Sequence, residues 1–206
     1  MLNRRFVSVY LALWLIAFFA VNIRNVVQGR LVRAGKATNA EVGRPWGLSM
    51  LFASFGTGMF FFEELLFILA SFLGLPFFND SSILGNASNI VQTMGLILVG
   101  SGFFLFLWSV IERGQNSVSW EMTEDHSLVT TGPYGLVRHP SYLGYFLMFT
   151  GFLLTVQNTV ALLPLAAIPG YVMIVGDEEE MLTLRFGDVY REYMDRTGRF
   201  IPKLSG

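Results

Sequence analysis

The sequence has no cysteine, few charged residues and no excess of positive charge. Without cysteine, the chain cannot form disulfides, thiolate nucleophiles or zinc sites with sulfur ligands. Charged residues make up 14% of the 206 residues, whereas a soluble domain usually has about 25%. The formal net charge of −1 gives no basis for nucleic-acid binding. The composition therefore excludes an ordinary water-facing globule.

The sequence has few charged residues but contains long apolar runs. Hydrophobic residues make up 53% of the chain, and the mean hydropathy is +0.52. A helix of about 20 apolar residues spans a bilayer, and five runs approach or exceed that length: residues 6–23, 47–78, 90–111, 140–156 and 160–175. We predict an all-α integral membrane protein with about five transmembrane helices and no Rossmann domain. We treat residues 1–206 as a single membrane domain, with three spans in residues 1–111.

The charged C-terminal stretch, residues 177–206, is predicted to form an amphipathic helix on the cytoplasmic membrane surface. Its apolar residues recur at helical spacing: Leu182, Phe186, Val189, Tyr190 and Tyr193. The loop 24–46 has five Lys/Arg residues and the loops 79–89 and 157–159 have none. By the positive-inside rule, the loop 24–46, the polar stretch 112–138 and the tail are cytoplasmic, and the N-terminus is outside. Arg4 and Arg5 also fit a signal peptide, but no clean cleavage site follows the first run.

Polar residues concentrate on both sides of the predicted hairpin of the fourth and fifth spans. Both histidines, His126 and His139, lie in the polar stretch 112–138 or next to it, and Arg138-His139-Pro140 opens the fourth span. Four acidic residues, 177–180, follow the fifth span. Because a helical hairpin returns the chain to the side it left, the two segments meet at one membrane face. On charge alone, a structural ion pair between Arg138 and these acids is an equally good interpretation.

Two motifs on either side of this hairpin resemble a known family. The first comprises His126, Leu128, Val129, Thr130, Gly132 and Tyr134, followed by residues 137–142 and Gly144. The second comprises Glu178, Glu179, Leu182, Phe186, Gly187, Tyr190 and Tyr193, followed by residues 199–202. In this order and spacing they resemble the isoprenylcysteine carboxyl methyltransferase family, which is grouped with the membrane phospholipid methyltransferases. The resemblance covers about residues 114–203.

The resemblance implies an S-adenosylmethionine-dependent methyltransferase whose cofactor site lies in residues 112–206, without a Rossmann sheet. It implies a set of cofactor contacts: His126, Ser127, Leu128, Val129, Tyr134, His139, Pro140, Ser141, Tyr142 and Glu178. Arg138 is the candidate catalytic charge, which either orients the acceptor or holds Glu178 and Glu179 in place. Tyr134 and Tyr142 also fit interfacial aromatic residues, and His139 also fits a helix cap. No metal site is expected, because the acids near the histidines match no compact metal motif.

The sequence departs from the family at the acceptor site. Enzymes of the family that act on prenylated cysteine have a substrate-binding arginine four residues before the first glutamate of the pair, where this chain has Ile174. Glu63 and Glu64 lie inside an apolar run, where carboxylates usually face a cavity or a partner. We therefore treat Glu63, Glu64 and Ile174 as candidate acceptor-binding residues. A helix end at the interface, or a pair with a neighbouring basic or hydroxyl side chain, explains the two glutamates equally well.

The function predicted from these features is methyl transfer from S-adenosylmethionine to a lipophilic acceptor that enters from the bilayer. The acceptor is a prenylated molecule with an isoprenylcysteine-like carboxylate. Three alternatives remain: N-methylation of a phospholipid amine, an NADPH-dependent reduction of the sterol reductase type, and a non-catalytic lipid-binding protein. Membrane lipids are the expected partners, nucleic acid is not, and the sequence leaves the oligomeric state and the cellular membrane open.

Overall fold

Six α-helices make up most of the part of the protein that the structure describes. The computed structural model describes residues 2–33, 47–76, 78, 89–114 and 127–203. The helices are α1 (Arg4–Arg33), α2 (Leu48–Leu73), α3 (Asn89–Arg113), α4 (Pro140–Val156), α5 (Ala167–Phe186) and α6 (Asp188–Arg196). Two 3-10 helices, Gly132–Gly135 and Thr159–Ala166, precede α4 and α5. Residues 34–46, 79–88 and 115–126 of the predicted polar stretches lie outside the described residues.

The helices confirm the predicted class of all-α membrane protein. Four of the described segments are long and apolar enough to cross a membrane: Arg4–Gln28, Leu48–Leu73, Asn89–Arg113 and Thr159–Phe186. The fifth, α4, is apolar but has only 17 residues. Large apolar side chains such as Leu13, Ile97 and Phe104 point outwards, as they would towards lipid. No β-strand occurs within the described ranges.

Helix α1 is longer than predicted. The loop was expected to begin at residue 24, but the helix continues to Arg33. Hydropathy marks where the apolar stretch ends, whereas backbone hydrogen bonds continue a helix into polar surroundings. Helix α2 is shorter than its apolar run and ends at Leu73, where Gly74 adopts a left-handed conformation and its N–H group bonds the Ala70 carbonyl.

The boundary between the fifth span and the tail was also predicted wrongly. The span was expected to end near residue 175, but α5 continues through the acidic residues to Phe186. The amphipathic periodicity from Leu182 onwards suggested one tail helix, yet Gly187 divides it with φ of 55°. The predicted bend at Pro164 takes the form of the 3-10 helix.

The α4 hairpin agrees with the sequence at both ends. Pro140 occupies the first helical position, where its missing N–H costs no hydrogen bond. At the other end Gln157 is left-handed, with φ of 54°. The Asn158 side chain then accepts a hydrogen bond from the Val160 N–H group (2.9 Å). The chain therefore reverses at residues 157–159, as predicted.

Glycines at intervals of seven residues bring α3 and α4 into close contact. Gly95 and Gly102 of α3 face Gly151 and Gly144 of α4. A Cβ atom at Gly102 would lie 2.6 Å from the Gly144 carbonyl oxygen, and one at Gly151 would lie 2.6 Å from the Val99 nitrogen. Small residues allow this backbone approach, which is a common means of helix association in membranes. Helices α2 and α5 also approach each other closely at two glycines, Gly56 and Gly170.

Hydrogen bonds show which helix ends share a face of the bundle. At one face Arg4 Nε donates to Ser71 Oγ (2.9 Å), Leu2 N donates to Gln92 Oε1 (2.7 Å), and Gln92 Nε2 donates to the Thr155 carbonyl (3.0 Å). That face therefore has the start of α1, the end of α2, the start of α3 and the end of α4. The opposite face has the end of α3, the start of α4 and the end of α5, where the predicted motifs lie.

Candidate functional site

The start of α4 is held against the C-terminal tail by backbone hydrogen bonds. Proline disfavours helical geometry in the preceding residue, and His139 accordingly has non-helical angles. Its extended neighbour Val137 forms an isolated parallel bridge with Gly198. Arg138 N donates to the Gly198 carbonyl (2.9 Å), and His139 N donates to the Arg199 carbonyl (3.1 Å). The tail therefore borders the residues that open α4.

Glu179 lies at the centre of a cluster of basic side chains. Its Oε1 accepts from Arg138 Nε (2.8 Å) and lies 3.2 Å from His139 Nε2. Its Oε2 accepts from Arg199 Nε (3.0 Å) and from a terminal nitrogen of Arg199. These bonds raise the pKa of the Arg199 guanidinium. Because Arg138 also donates to the Met194 and Thr197 carbonyls, it connects the segment before α4 with α5, α6 and Thr197.

Glu178 is buried beside this cluster but has different contacts. Its Oε1 accepts a hydrogen bond from the Tyr142 hydroxyl (2.7 Å), and its Oε2 lies 3.6 Å from His139 Nδ1. The two nitrogens of the His139 ring therefore face the two adjacent glutamates. Two contacts leave further acceptor positions on the Glu178 carboxylate. Glu178 thus keeps the capacity to bind a cationic group.

Aromatic rings stack along one side of Glu178. The Tyr142 and Tyr171 ring centroids lie 4.8 Å apart, and the Tyr171 and Tyr145 centroids lie 5.3 Å apart with nearly parallel planes. The His139 ring is also nearly parallel to that of Tyr142, with centroids 5.9 Å apart. Tyr171 hydroxyl and Thr57 Oγ1 are 2.8 Å apart, which connects the stack to α2. The stack gives the site a flat, largely apolar wall.

Tyr134 closes the site on the side of the 3-10 helix Gly132–Gly135. Its backbone carbonyl accepts a hydrogen bond from the Tyr193 hydroxyl (2.6 Å), and its own hydroxyl lies beside Ser141. Burial raises the pKa of the Tyr134 hydroxyl, and the positive charge of Arg113 opposes that increase. Burial likewise raises the pKa of Tyr193 to about 12. Both tyrosines therefore stay neutral at physiological pH.

The other predicted cofactor contacts border the same region. Ser127, Leu128 and Val129 lie in a non-helical segment before the 3-10 helix, and both apolar residues are half-buried. Pro140 and Ser141 are buried in the first turn of α4. His126 lies outside the described residues. Of the predicted residues, His139, Tyr142 and Glu178 contact one another directly. Arg138 lies beside them in the chain but bonds Glu179.

Glu63, Glu64 and Ile174 occupy two different places. Ile174 is buried on α5, one turn before Glu178. Glu63 and Glu64 are buried on α2, six and seven residues beyond Thr57, so they lie about 10 Å further along the helix axis. Within the described residues, none of their four carboxylate oxygens has a hydrogen-bond partner. Their role in acceptor binding stays a prediction.

Sequence reasoning did not identify Tyr171, Thr57 or Arg113 as part of the site. Tyr171 was detectable, because it precedes Glu178 by seven residues and so lies on the same helix face. Thr57 and Arg113 belong to α2 and α3, and only the packing of those helices brings them to the site. Helix α3 ends beside the Tyr134 segment, where Thr131 Oγ1 donates to Glu112 Oε1 (2.5 Å).

Fold and site together define a multi-span all-α membrane protein with a buried acid–histidine–arginine cluster at the base of a helical hairpin. Residues 90–188 match the family model described as phospholipid methyltransferase. The chain is 31% identical over 119 residues to a protein-S-isoprenylcysteine O-methyltransferase of Schizosaccharomyces pombe, covering 55% of this chain and 50% of the relative. It is 32% identical over 121 residues to the protein of that name from Homo sapiens, covering 56% and 43%.

These comparisons confirm the resemblance to the isoprenylcysteine carboxyl methyltransferase and membrane phospholipid methyltransferase family. A relative of the same name from Tribolium castaneum is 31% identical over 127 residues, covering 56% of this chain and 43% of the relative. The chain spans about half the length of the curated relatives it matches. The matched segment 90–188 includes α3, α4, α5 and the residues around Glu178.

Proposed function

We propose that the protein is an S-adenosylmethionine-dependent methyltransferase that acts on the carboxylate of a lipophilic, isoprenylcysteine-like acceptor. The main support for the proposal is the environment of Glu178, a buried carboxylate that contacts Tyr142 and His139 within the matched segment. The relatives named as isoprenylcysteine O-methyltransferases support the same acceptor class.

The residues around Glu178 have the chemistry that S-adenosylmethionine requires. Its ammonium group needs an anion, which Glu178 provides, and its adenine needs an apolar surface, which Leu128 and Val129 offer. Its sulfonium is a cation that suits aromatic faces such as those of Tyr142 and Tyr171. The bound cofactor would supply an electrophilic methyl group.

Catalysis in this proposal depends on position and on the exclusion of water. Transfer of a methyl group to a carboxylate forms one C–O bond, breaks one C–S bond and needs no proton transfer. Glu178 fixes the donor end of the site, and the stacked tyrosines exclude water from it. Arg138 is the charge on which activity depends, because it holds Glu179 and thereby the start of α4. His139, Pro140, Ser141 and Tyr134 enclose the same site.

The acceptor in this proposal enters from the lipid, and the cofactor enters from the cytoplasm. The face with the site also has the C-terminal part of α1, which contains Arg24, Arg30 and Arg33, and Lys36 and Arg44 follow it in the sequence. Basic loops stay on the cytoplasmic side, so the N-terminus lies outside. Membrane lipids and a prenylated molecule are the proposed partners.

Calorimetric titration of the detergent-purified protein with S-adenosylhomocysteine tests the cofactor assignment. Saturable binding is expected for the natural sequence, and Glu178→Gln should weaken it about tenfold or more, because a charge-assisted bond contributes about 1.5–3 kcal/mol. Glu180→Gln is the matched control, since Glu180 is an exposed glutamate on the same helix. The absence of binding at high ligand concentration, or equal affinity in both variants, would contradict the assignment.

N-methylation of a phospholipid amine is the second candidate function. Two observations favour it: the family model is that of phospholipid methyltransferases, and Glu63 and Glu64 are buried carboxylates without a hydrogen-bond donor among the described residues. Carboxylates inside a membrane usually face a partner or a cavity, and an amine headgroup is such a partner.

An assay with labelled methyl donor and both acceptor classes separates the two functions. If the acceptor is a phospholipid amine, Glu63→Gln and Glu64→Gln should abolish labelling of the lipid. If the acceptor is a prenylcysteine carboxylate, both variants should still label it. Asn22→Ala serves as the control, because it changes a polar side chain of α1 that donates to the Phe18 carbonyl of its own helix (2.8 Å).

A further inference from the structure

Among the residues that the structure describes, three arginines border the candidate site, and Glu179 bonds two of them. Arg138 donates to Glu179 and to two backbone carbonyls. Arg199 donates to Glu179 through two of its nitrogens. These two guanidinium groups therefore hold the tail and the start of α4 together.

The third arginine, Arg113, lies on the face of α3 that packs against α4. Phe106, Val110 and Arg113 follow one another at helical spacing, and Phe106 lies against Gly144 and the Tyr145 ring. Since α3 and α4 run in opposite directions, residues further along α3 meet residues nearer the start of α4. Seven residues beyond Phe106, Arg113 therefore lies level with residues around Val137. The Glu112 contacts to Thr131 and Gly132 place the same helix end beside the Tyr134 segment.

The charge of Arg113 acts on the residues that would enclose a ligand. Arg113 is a half-buried residue with a buried Nε atom, and it interacts electrostatically with Tyr134, Tyr142 and Glu178. Burial strengthens such interactions, because little water screens them. Arg113 and Glu178 thus supply one positive and one negative group to the same site. Ile174, where the family resemblance predicts an arginine, is buried and apolar.

We propose that Arg113 is the carboxylate-binding residue of this site. This inference rests on the proposed methyltransferase function. It adds a ligand-recognition residue that lies outside the two sequence motifs. A guanidinium binds a carboxylate through two parallel N–H···O bonds. S-adenosylmethionine and an isoprenylcysteine-like acceptor each have one carboxylate, and either fits Arg113. A ligand that lacks its carboxylate shows which of the two Arg113 binds.

The test compares Arg113→Gln with the natural protein, using three probes. The first two are S-adenosylhomocysteine and its decarboxylated analogue, each titrated calorimetrically. The third is N-acetyl-S-farnesylcysteine as the acceptor in a methyl-transfer assay. Arg191→Gln is the matched control, because Arg191 is an exposed arginine paired with Asp188 outside the site.

Two results support the proposal and identify the carboxylate. If Arg113 binds the donor, the Kd of S-adenosylhomocysteine rises about tenfold or more while that of the decarboxylated analogue stays unchanged. If Arg113 binds the acceptor, both Kd values stay unchanged and KM for the acceptor rises about tenfold with kcat retained. In either case Arg113→Lys, which keeps the positive charge, should recover part of the loss.

Two other results overturn it. An equal loss of affinity for both nucleoside ligands would mean that Arg113→Gln only disturbs the fold. No change in either Kd or in KM would mean that Arg113 binds no carboxylate, although the methyltransferase function would stand. A natural protein that binds neither nucleoside ligand would contradict the proposed function itself, which separates the two failures.

Discussion

Glu178 and Glu179 are adjacent in the chain but differ in what they contact. Successive residues on a helix point about 100° apart, so the two carboxylates face different surroundings. Glu179 is bonded by Arg138, Arg199 and His139, which leaves it no evident role beyond structure. Glu178 instead accepts a hydrogen bond from the Tyr142 hydroxyl, and its Oε2 lies 3.6 Å from His139 Nδ1. We therefore expect Glu179 to determine stability and Glu178 to determine ligand binding.

Glu179→Gln should destabilise the protein. The change leaves Arg138 with a weaker partner in a place that is about 10% exposed, and breaking a buried ion pair costs about 3 kcal/mol or more. A lower Tm in detergent, measured by intrinsic fluorescence, is expected, while Glu178→Gln should keep a Tm near that of the natural protein. An unchanged Tm for Glu179→Gln would contradict the structural role.

Among the helices and turns, prediction from the sequence was most accurate where the structure depends on adjacent residues. Pro140 marked the start of α4, because proline restricts the backbone of adjacent residues. Residues 157–159 marked its end, because a tight reversal of the chain also depends on adjacent residues. The end of α1 and the continuation of α5 were missed, because hydropathy does not distinguish a helix from a loop once charged residues appear. Residues 177–186 of the predicted tail accordingly belong to α5. The helix is interrupted at Gly187, which has a positive φ.

The candidate site was predictable only on the α4–α5 hairpin. Arg138, His139, Tyr142 and Glu178 come from two motifs joined by that hairpin, so topology alone brought them to one face. The contribution of Thr57 and Arg113 depends on how α2 and α3 pack, which no local pattern in the sequence encodes. The glycines that decide this packing were present in the sequence, but glycine is also common in membrane helices for other reasons.

Gly102→Ala should separate α3 from α4 and thereby weaken the site. An added Cβ atom would lie 2.6 Å from the Gly144 carbonyl oxygen, and forced overpacking costs about 1–3 kcal/mol. We expect a lower Tm and weaker S-adenosylhomocysteine binding, because α3 has Arg113 at its end and α4 has Tyr142 near its start.

Gly58→Ala is the matched control for this helix contact. It is the same chemical change on α2, but an added Cβ atom there meets nothing within 4 Å. Because alanine favours a helix over glycine by about 1 kcal/mol, Tm should stay equal or rise slightly. Equal Tm values for the two alanine variants would show that the α3–α4 contact is looser than described.

For the whole molecule, the arrangement of helix ends divides the protein into two faces. One has Arg4, Ser71 and Gln92, and the other has the Glu178–Glu179 region. If the loop 24–46 is cytoplasmic, so is the site, where S-adenosylmethionine is available. The sidedness of the protein is therefore a functional prediction as well as a topological one.

Single cysteines test this sidedness without background, because the chain has no cysteine of its own. Glu192 is an exposed residue of α6 at the site face. Ser82 belongs to the predicted loop 79–89, which joins the helix ends of the other face in sequence, so Glu192→Cys and Ser82→Cys are expected on opposite sides. With a membrane-impermeant maleimide on intact cells, we expect labelling of Ser82→Cys only. Labelling of Glu192→Cys in intact cells would reverse the assigned orientation.

Transfer of a labelled methyl group distinguishes the two proposed acceptors. Purified protein is incubated with methyl-labelled S-adenosylmethionine and either N-acetyl-S-farnesylcysteine or phosphatidylethanolamine vesicles, and the product is then treated with alkali. We expect label on the farnesylcysteine that alkali releases as methanol, because a methyl ester hydrolyses readily. Alkali-stable label on the phospholipid, or no label on either acceptor, would contradict this expectation.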